Sequence, residues 1–235
     1  MKTIIITGTP GTGKTTLAKR LAKRLNYHYI DVNKLISKYK LSEGYDSKRR
    51  TKIIDINKLN KKIIGVMVFF KMSANRKAIS DDMSERERRS ELSHVTAQKP
   101  KVFDKYNFIG IAPMSSARRA KLIKKIILNI RSNNKDALKN VKKIKKYTGI
   151  IIDSHLSHYL PRKYVDFCIV TKCDIKELNK RLKKKKFHKG KIQENIQAEI
   201  FDVCYNEALE RKHKVLVVNT AKGFNINKIA NQIGV

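Results

Sequence analysis

The sequence predicts an α/β fold: a doubly wound, parallel, five-stranded sheet with a basic, mostly helical insertion. Three observations carry this. Short β-branched runs alternate with segments of helical period. Two of the runs, 149–152 and 165–171, are almost wholly apolar, as strands covered on both faces are. Between about 66 and 148 the alternation gives way to dense charge.

Residues 2–7 form the first strand and run into a glycine-rich loop. A helix over 15–25 follows, because Leu17, Leu21 and Leu25 recur four apart beside Ala18 and Ala22. Residues 28–31 make the second strand and 32–39 a helix carrying Val32, Leu35, Ile36 and Tyr39 at helical spacing; Glu43-Gly44-Tyr45-Asp46 reads as a turn. The third strand, 149–152, ends at Asp153, and 165–171 is the fourth. Asp174 is expected to cap a helix through about 185, 192–209 to be one long helix, 215–218 the last strand and 225–233 a closing helix. Within the insertion, 83–92 and 116–147 read as helical and 98–113, with two of the four prolines, as irregular. Leu122, Ile123, Ile126, Ile127 and Ile130 share one face of the second helical stretch. No internal repeat is visible.

Composition excludes several classes. A chain of 235 residues that is 41% hydrophobic has enough apolar side chain for a core and is not a disordered chain. Three cysteines do not make a disulfide framework, which points to a reducing, cytoplasmic compartment. The longest apolar stretch, 63–70, is far shorter than a bilayer span, so no membrane association is expected. Lys2 before Thr3-Ile4-Ile5-Ile6 imitates the start of a signal peptide, but a glycine loop ends the apolar run and no cleavage site follows.

Charge is the outstanding number. Fifty-four Lys and Arg against 20 Asp and Glu leave +34, which costs self-repulsion and calls for a polyanion. RNA is the leading candidate; a solvated Lys- and Ile-rich surface is the plain alternative, and an anionic membrane ranks below both. Residues 67–147 hold 21 basic and 7 acidic side chains, more than their share of the excess.

Gly8-Thr9-Pro10-Gly11-Thr12-Gly13-Lys14-Thr15 fits G-x-x-x-x-G-K-[ST] between a strand and a helix. Glycines let successive backbone N–H groups converge on phosphate, the helix N-terminus adds partial positive charge, Lys14 reaches the terminal phosphates and Thr15 can ligate Mg²⁺. A plain packing turn has no need of Lys-Thr at that offset. Asp153 ends its strand at the carboxyl edge of the sheet, where open α/β folds bind ligands, and can hold Mg²⁺ through its water shell. His155, two residues on, points the same way from an extended backbone. His158 follows within a turn, so Asp153, His155 and His158 also admit a zinc reading, against which the P-loop specifies the hard ion. A simple strand-end cap by Asp153 is the third alternative.

Other features read as structural. Cys168 and Cys173 lack a second pair and suit core packing, as does Cys204 beside Ile200 and Val203 on a helix. Tyr27, Tyr29, Tyr39 and Tyr45 fit core or rim better than stacking on bases. The lysine run 183–191 is either a solvated helix end or a functional lid.

Four segments together resemble the adenylate kinase isoenzyme 6 family of small P-loop nucleoside monophosphate kinases, especially its archaeal members. They are TGTPGTGKTTL (7–17), IDVNKLI with EGYD after it (30–36, 43–46), IIDSHLSHYLP (151–161) and RLKKKKFHKGKIQENIQAEIFDVC (181–204). The likeness covers about 150 residues, 1–62 and 148–235. It implies a kinase domain in two parts, 1–66 with a monophosphate-binding segment at 31–54 and 148–235 with a lid at 184–194, around an insertion at 67–147 that matches nothing in the family.

The resemblance implies Mg²⁺-dependent phosphoryl transfer from ATP to AMP, giving two ADP, with ATPase activity beside it. It also implies a link to small ribosomal subunit maturation and rRNA processing, through a platform ribosomal protein and rRNA. Gly11, Gly13, Lys14, Thr15 and Thr16 would hold ATP phosphates, and Thr15 and Asp153 the magnesium. Asp153 and His155 would be the Walker B pair, Lys185 the catalytic lid cation, and Lys222 would line the adenine pocket. Lys185 stands where the family carries arginine; it supplies charge but not a bidentate fork, which favours weak kinase turnover. The alternative reading is therefore an ATP-switched factor that binds RNA or a ribosomal protein with little kinase turnover.

Overall fold

The computed structural model describes residues 1–47, 49–81 and 147–234. The chain divides into two compact units, Met1–Met67 with Tyr147–Val235, and Val68–Lys146. The expected helices at 83–92 and 116–147 and the irregular stretch at 98–113 lie outside the described residues.

Five parallel strands form one sheet in the order β2-β5-β1-β6-β7. They are β1 (Lys2–Thr7), β2 (Tyr27–Asp31), β5 (Gly149–Asp153), β6 (Phe167–Lys172) and β7 (Val215–Asn219). The central strand β1 pairs Ile4 with Ile151 of β5 on one side and with Phe167 of β6 on the other. Burial explains its composition: Ile4, Ile5 and Ile6, like Ile150, Ile151 and Ile152, are fully buried, so both faces of the sheet are covered. Each such side chain contributes about 1.5–3 kcal/mol.

Helix α1 (Lys14–Leu25) lays the four-apart leucines on this sheet. Leu17, Leu21 and Leu25 cluster with Ile4, Ile6, Ile151 and Ile169 and with Ile229, Ala230 and Ile233 at the chain's end. From β1 the chain moves to one side for β2 and β5 and to the other for β6 and β7. The loop leaving β1 therefore opens where the strand order reverses, which is where such sheets leave a crevice.

The helices after β2 are α2 (Val32–Lys38) and α3 (Ile56–Asp81); those after β6 are α4 (Ile175–Lys184), α5 (Lys189–Ile200), α6 (Val203–Glu210) and α7 (Ile226–Gln232). Asp31 caps α2 by accepting from the Asn33 and Lys34 amides, and Asn225 does the same for α7. Asp174 occupies the corresponding place before α4, but its side chain makes no capping bond. None of the described helices is long and apolar enough to cross a membrane.

Three further expectations differ from the structure. Residues 43–46 are not a turn but part of strand β3 (Ser42–Asp46), paired antiparallel with β4 (Thr51–Ile54). Exposure alternates along β3, with Glu43 and Tyr45 outward, and the turn lies just beyond, where Asp46 Oδ1 accepts from the Arg49 amide at 2.9 Å. The expected single helix at 192–209 breaks between α5 and α6, because Asp202 adopts φ 53° and the chain turns there. Asp tolerates this left-handed conformation better than most residues, and here its carboxylate pairs with Lys172 of β6. Finally, β6 begins at Phe167 rather than 165. The preceding residues form a 3₁₀ turn (Arg162–Tyr164), and Asp166 Oδ2 accepts from the Thr3 amide at 2.6 Å.

Candidate active site

The loop between β1 and α1 is pinned from outside by threonines. Thr171 of β6 donates to Thr7 O at 3.1 Å, and its Oγ1 lies 2.7 Å from Thr12 Oγ1. Thr220, after β7, donates to Thr12 O at 2.6 Å. Thr12 closes the loop on itself through its hydroxyl to Thr9 O at 2.8 Å. Two glycines are required on steric grounds: with φ 134°, a Cβ at Gly8 would lie 2.5 Å from Thr171 O, and at Gly11, φ 98°, one would lie 2.8 Å from Leu178 of α4. The backbone amides are thus held in place before any ligand arrives.

Lys14, at the first position of α1, folds over this loop and donates to Gly8 O at 2.7 Å and Thr9 O at 2.9 Å. Burial brings its ammonium down to about 8, against the opposing pull of Cys204 and Asp153, and the positive charge of Lys185 adds to the lowering. Lys185 stands at the C-terminal end of α4. Thr15 and Thr16 are exposed at the mouth of the loop.

Across from the loop, Asp153 ends β5 and is only 5% exposed. Its Oδ2 accepts from the Thr15 hydroxyl at 2.7 Å and from the Tyr29 hydroxyl at 3.0 Å. Both of these bonds end on Oδ2. Burial and the Asp153 carboxylate push the Tyr29 phenol well up, so it stays a donor.

His155 stands two residues further on and is exposed. Crowding by protein atoms, then the charges of Lys14, His158 and Lys191, hold its imidazole at about 4, so it is neutral near pH 7. The zinc reading fails at His158. Its Nε2 meets Glu207 Oε2 and its Nδ1 meets Thr7 Oγ1, each at 2.7 Å, so neither nitrogen is available beside Asp153 and His155. No group of three His, Cys, Asp or Glu among the described residues could hold a metal ion.

Lys222 is exposed in the turn after β7. That turn is tied to α4 by Arg181, which donates to Thr220 O at 3.0 Å and Ala221 O at 3.4 Å. Segments 31–54 and 184–194 also meet: Arg49, beyond β3, pairs with Glu194 of α5 at 3.5 Å, and Lys191 with the same carboxylate at 3.7 Å.

Cys168 is fully buried in β6, where burial pushes its thiol up to about 12. Cys204 lies nearer the loop, within reach of the Gly8 backbone and the Lys14 charge, and burial raises its thiol too. The sequence places Tyr29 among core or rim tyrosines, whereas its hydroxyl lies on Asp153, and it does not single out Thr171 or Thr220. The threonines carry no motif, and only the strand order brings them to the loop; Tyr29 had one signal, a place two residues before the end of a strand beside β5.

A sequence family described as an AAA domain matches residues 4–97 and 114–202. The chain belongs to that family. Among curated relatives, it is 27% identical over 230 residues to a Methanocaldococcus jannaschii protein named "Putative adenylate kinase", covering 98% of this chain and 82% of that one. A Methanosarcina mazei protein of the same name is 28% identical, with 92% of this chain and 76% of that one covered. The "Adenylate kinase isoenzyme 6 homolog" of Dictyostelium discoideum is 24% identical, with 92% and 78% covered. The resemblance carried by the four motifs agrees with these relatives, but the likeness is wider than 1–62 and 148–235, since the family match also takes in 67–97 and 114–147. The chain is an adenylate kinase-like P-loop protein of the α/β class.

Proposed function

We propose that this chain transfers the terminal phosphoryl group of ATP to a nucleoside monophosphate, with AMP the preferred acceptor, and hydrolyses ATP beside that reaction. One observation carries the reading: the hydroxyl of Thr15 and the carboxylate of Asp153, 2.7 Å apart, face a loop whose lysine is already poised over it. This donor pair consists of hard oxygens only, which fits Mg²⁺ and not a soft metal. Thr15 and Asp153 would hold the ion, Asp153 through water, and a bound Mg²⁺ would neutralise charge on the phosphates.

The chain's own residues do the rest. Amides of the loop around Gly11 and Gly13 bind phosphate oxygens with the N-terminus of α1 behind them. Lys14 exchanges its two carbonyl partners for phosphate oxygens, a stronger charge-assisted contact. His155, neutral near pH 7, orients a water or acceptor oxygen without adding repulsion to the lysines around it. Lys185 closes over the transferring group from the lid at 184–194 and supplies charge where it develops. The acceptor binds in the segment 31–54, and Lys222 lines the base of ATP. Activity is checked by ADP formation from ATP plus AMP with Mg²⁺; a chain that binds ATP yet forms no ADP from the pair defeats the kinase reading.

A second reading is favoured by the +34 charge. In it, ATP binding and slow hydrolysis switch contact with rRNA or a platform ribosomal protein in the cytoplasm, with 67–147 as a basic arm. It requires RNA affinity that falls steeply with salt and changes between ATP and ADP. Affinity insensitive to both removes it.

A further inference from the structure

Tyr29 takes no part in the loop, the lid or the acceptor segment as sequence motifs define them, yet its phenol oxygen ends on the acid that faces the loop. Asp153 is joined from two directions. Thr15, in the first turn of α1, and Tyr29, on the edge strand β2, both donate to Oδ2, at 2.7 and 3.0 Å. A carboxylate held by one hydroxyl can swing about its last torsion, which is broad and two-fold. Donors from two separate elements remove that freedom, and both leave Oδ1 unused among the described residues.

The ring of Tyr29 is itself fixed. It packs against the cluster of Leu17, Leu21 and Ile151, and β2 is registered on β5 with Tyr29 opposite Ile151. Lys19 of α1 lies 5.9 Å from the ring centroid. The phenol is thus carried on a rigid strand rather than on a loop, as a group that sets the orientation of another should be.

Resting on the phosphotransferase reading, we infer that Tyr29 is a positioning residue for the magnesium-holding acid: its hydroxyl locks the Asp153 carboxylate so that the ion and the nucleotide bind together. Tyr29 touches neither substrate nor the reacting atoms in this role; it acts through Asp153. Its contribution is therefore to the coupling between Mg²⁺ and nucleotide, and not to nucleotide affinity as such.

The test is a binding cycle with a fluorescent ATP analogue, measured once with excess Mg²⁺ and once in EDTA, on the full chain and on Tyr29→Phe. Phe keeps the ring and its packing and removes only the hydroxyl. The expected result is an unchanged Kd in EDTA and a Kd weakened about tenfold with Mg²⁺, in line with loss of a hydrogen bond to a charged group. Tyr27→Phe, on the same strand but away from Asp153, controls for strand packing and is expected to leave the ratio of the two Kd values unchanged. Equal weakening of Tyr29→Phe in both media, or none in either, overturns the inference alone. A parent chain that binds no nucleotide in either medium overturns the phosphotransferase reading and this inference with it.

Discussion

His158 Nδ1 lies 2.7 Å from Thr7 Oγ1, joining the segment after β5 to the last residue of β1 immediately before the phosphate loop. The Glu207 carboxylate on the far side can only accept, so His158 Nε2 carries the proton there. Burial lowers the His158 pKa, so the ring is neutral and Nδ1 accepts the Thr7 proton. Glu207 also accepts from the Tyr159 hydroxyl at 2.8 Å, and His158 O accepts from His213 Nε2 at 2.9 Å. The loop is thus anchored on α6 through three side chains.

Thr7→Val keeps the shape of this side chain and removes its hydroxyl, stranding His158 Nδ1 in a site that is 1% exposed. A loss of about 1–3 kcal/mol in urea unfolding is expected, while Thr7→Ser should stay near the parent value. Equal stability of the Val and Ser variants would mean that the bond contributes nothing.

Lys14→Ala removes the cation folded over the loop. ADP formation from ATP plus AMP is expected to fall by about a hundredfold or more, the scale on which single electrostatic contacts to a transition state act. A coupled assay at saturating nucleotide separates this from weaker binding.

Lys185→Arg supplies a planar fork at the end of α4. Turnover is expected to rise severalfold with KM for ATP little changed, and Lys185→Ala to lower it about tenfold, because a contact made mainly in the transition state acts on kcat. A change confined to KM would place Lys185 in ground-state binding instead.

Acidification should destabilise the fold. Burial lowers the pKa of His28, His158 and His213. In the unfolded chain these rings take protons near pH 6.5, so below that value the unfolded state binds more protons. Stability is complete above 6.5 and is lost progressively as the pH falls below it. Melting curves at pH 7.5 and 5.0 should show a Tm lower by several degrees at the acid value, and His158→Gln should flatten the difference.

Much of this molecule follows from local pattern. The leucines of α1, the isoleucine runs of β1 and β5 and the glycine loop between strand and helix are short-range signals, because covered strands need continuous apolar residues and a phosphate loop needs its glycines at set offsets. Asp153 is legible for the same reason: it terminates such a run. The break at Asp202 is not, since nothing in the helical period there reports an ion pair with Lys172 of a distant strand. Nor is the hairpin of β3 and β4, whose strands exist only through each other.

Sequence alone settled the class of fold, the phosphate loop and the acid that faces it. The tertiary structure decided what holds them: Tyr29 on Asp153, Thr171 and Thr220 on the loop, and His158 turned toward Glu207 rather than toward a metal. Those partners lie tens to hundreds of residues apart, and hydrogen bonds depend on position and direction in space, which spacing along a chain does not carry.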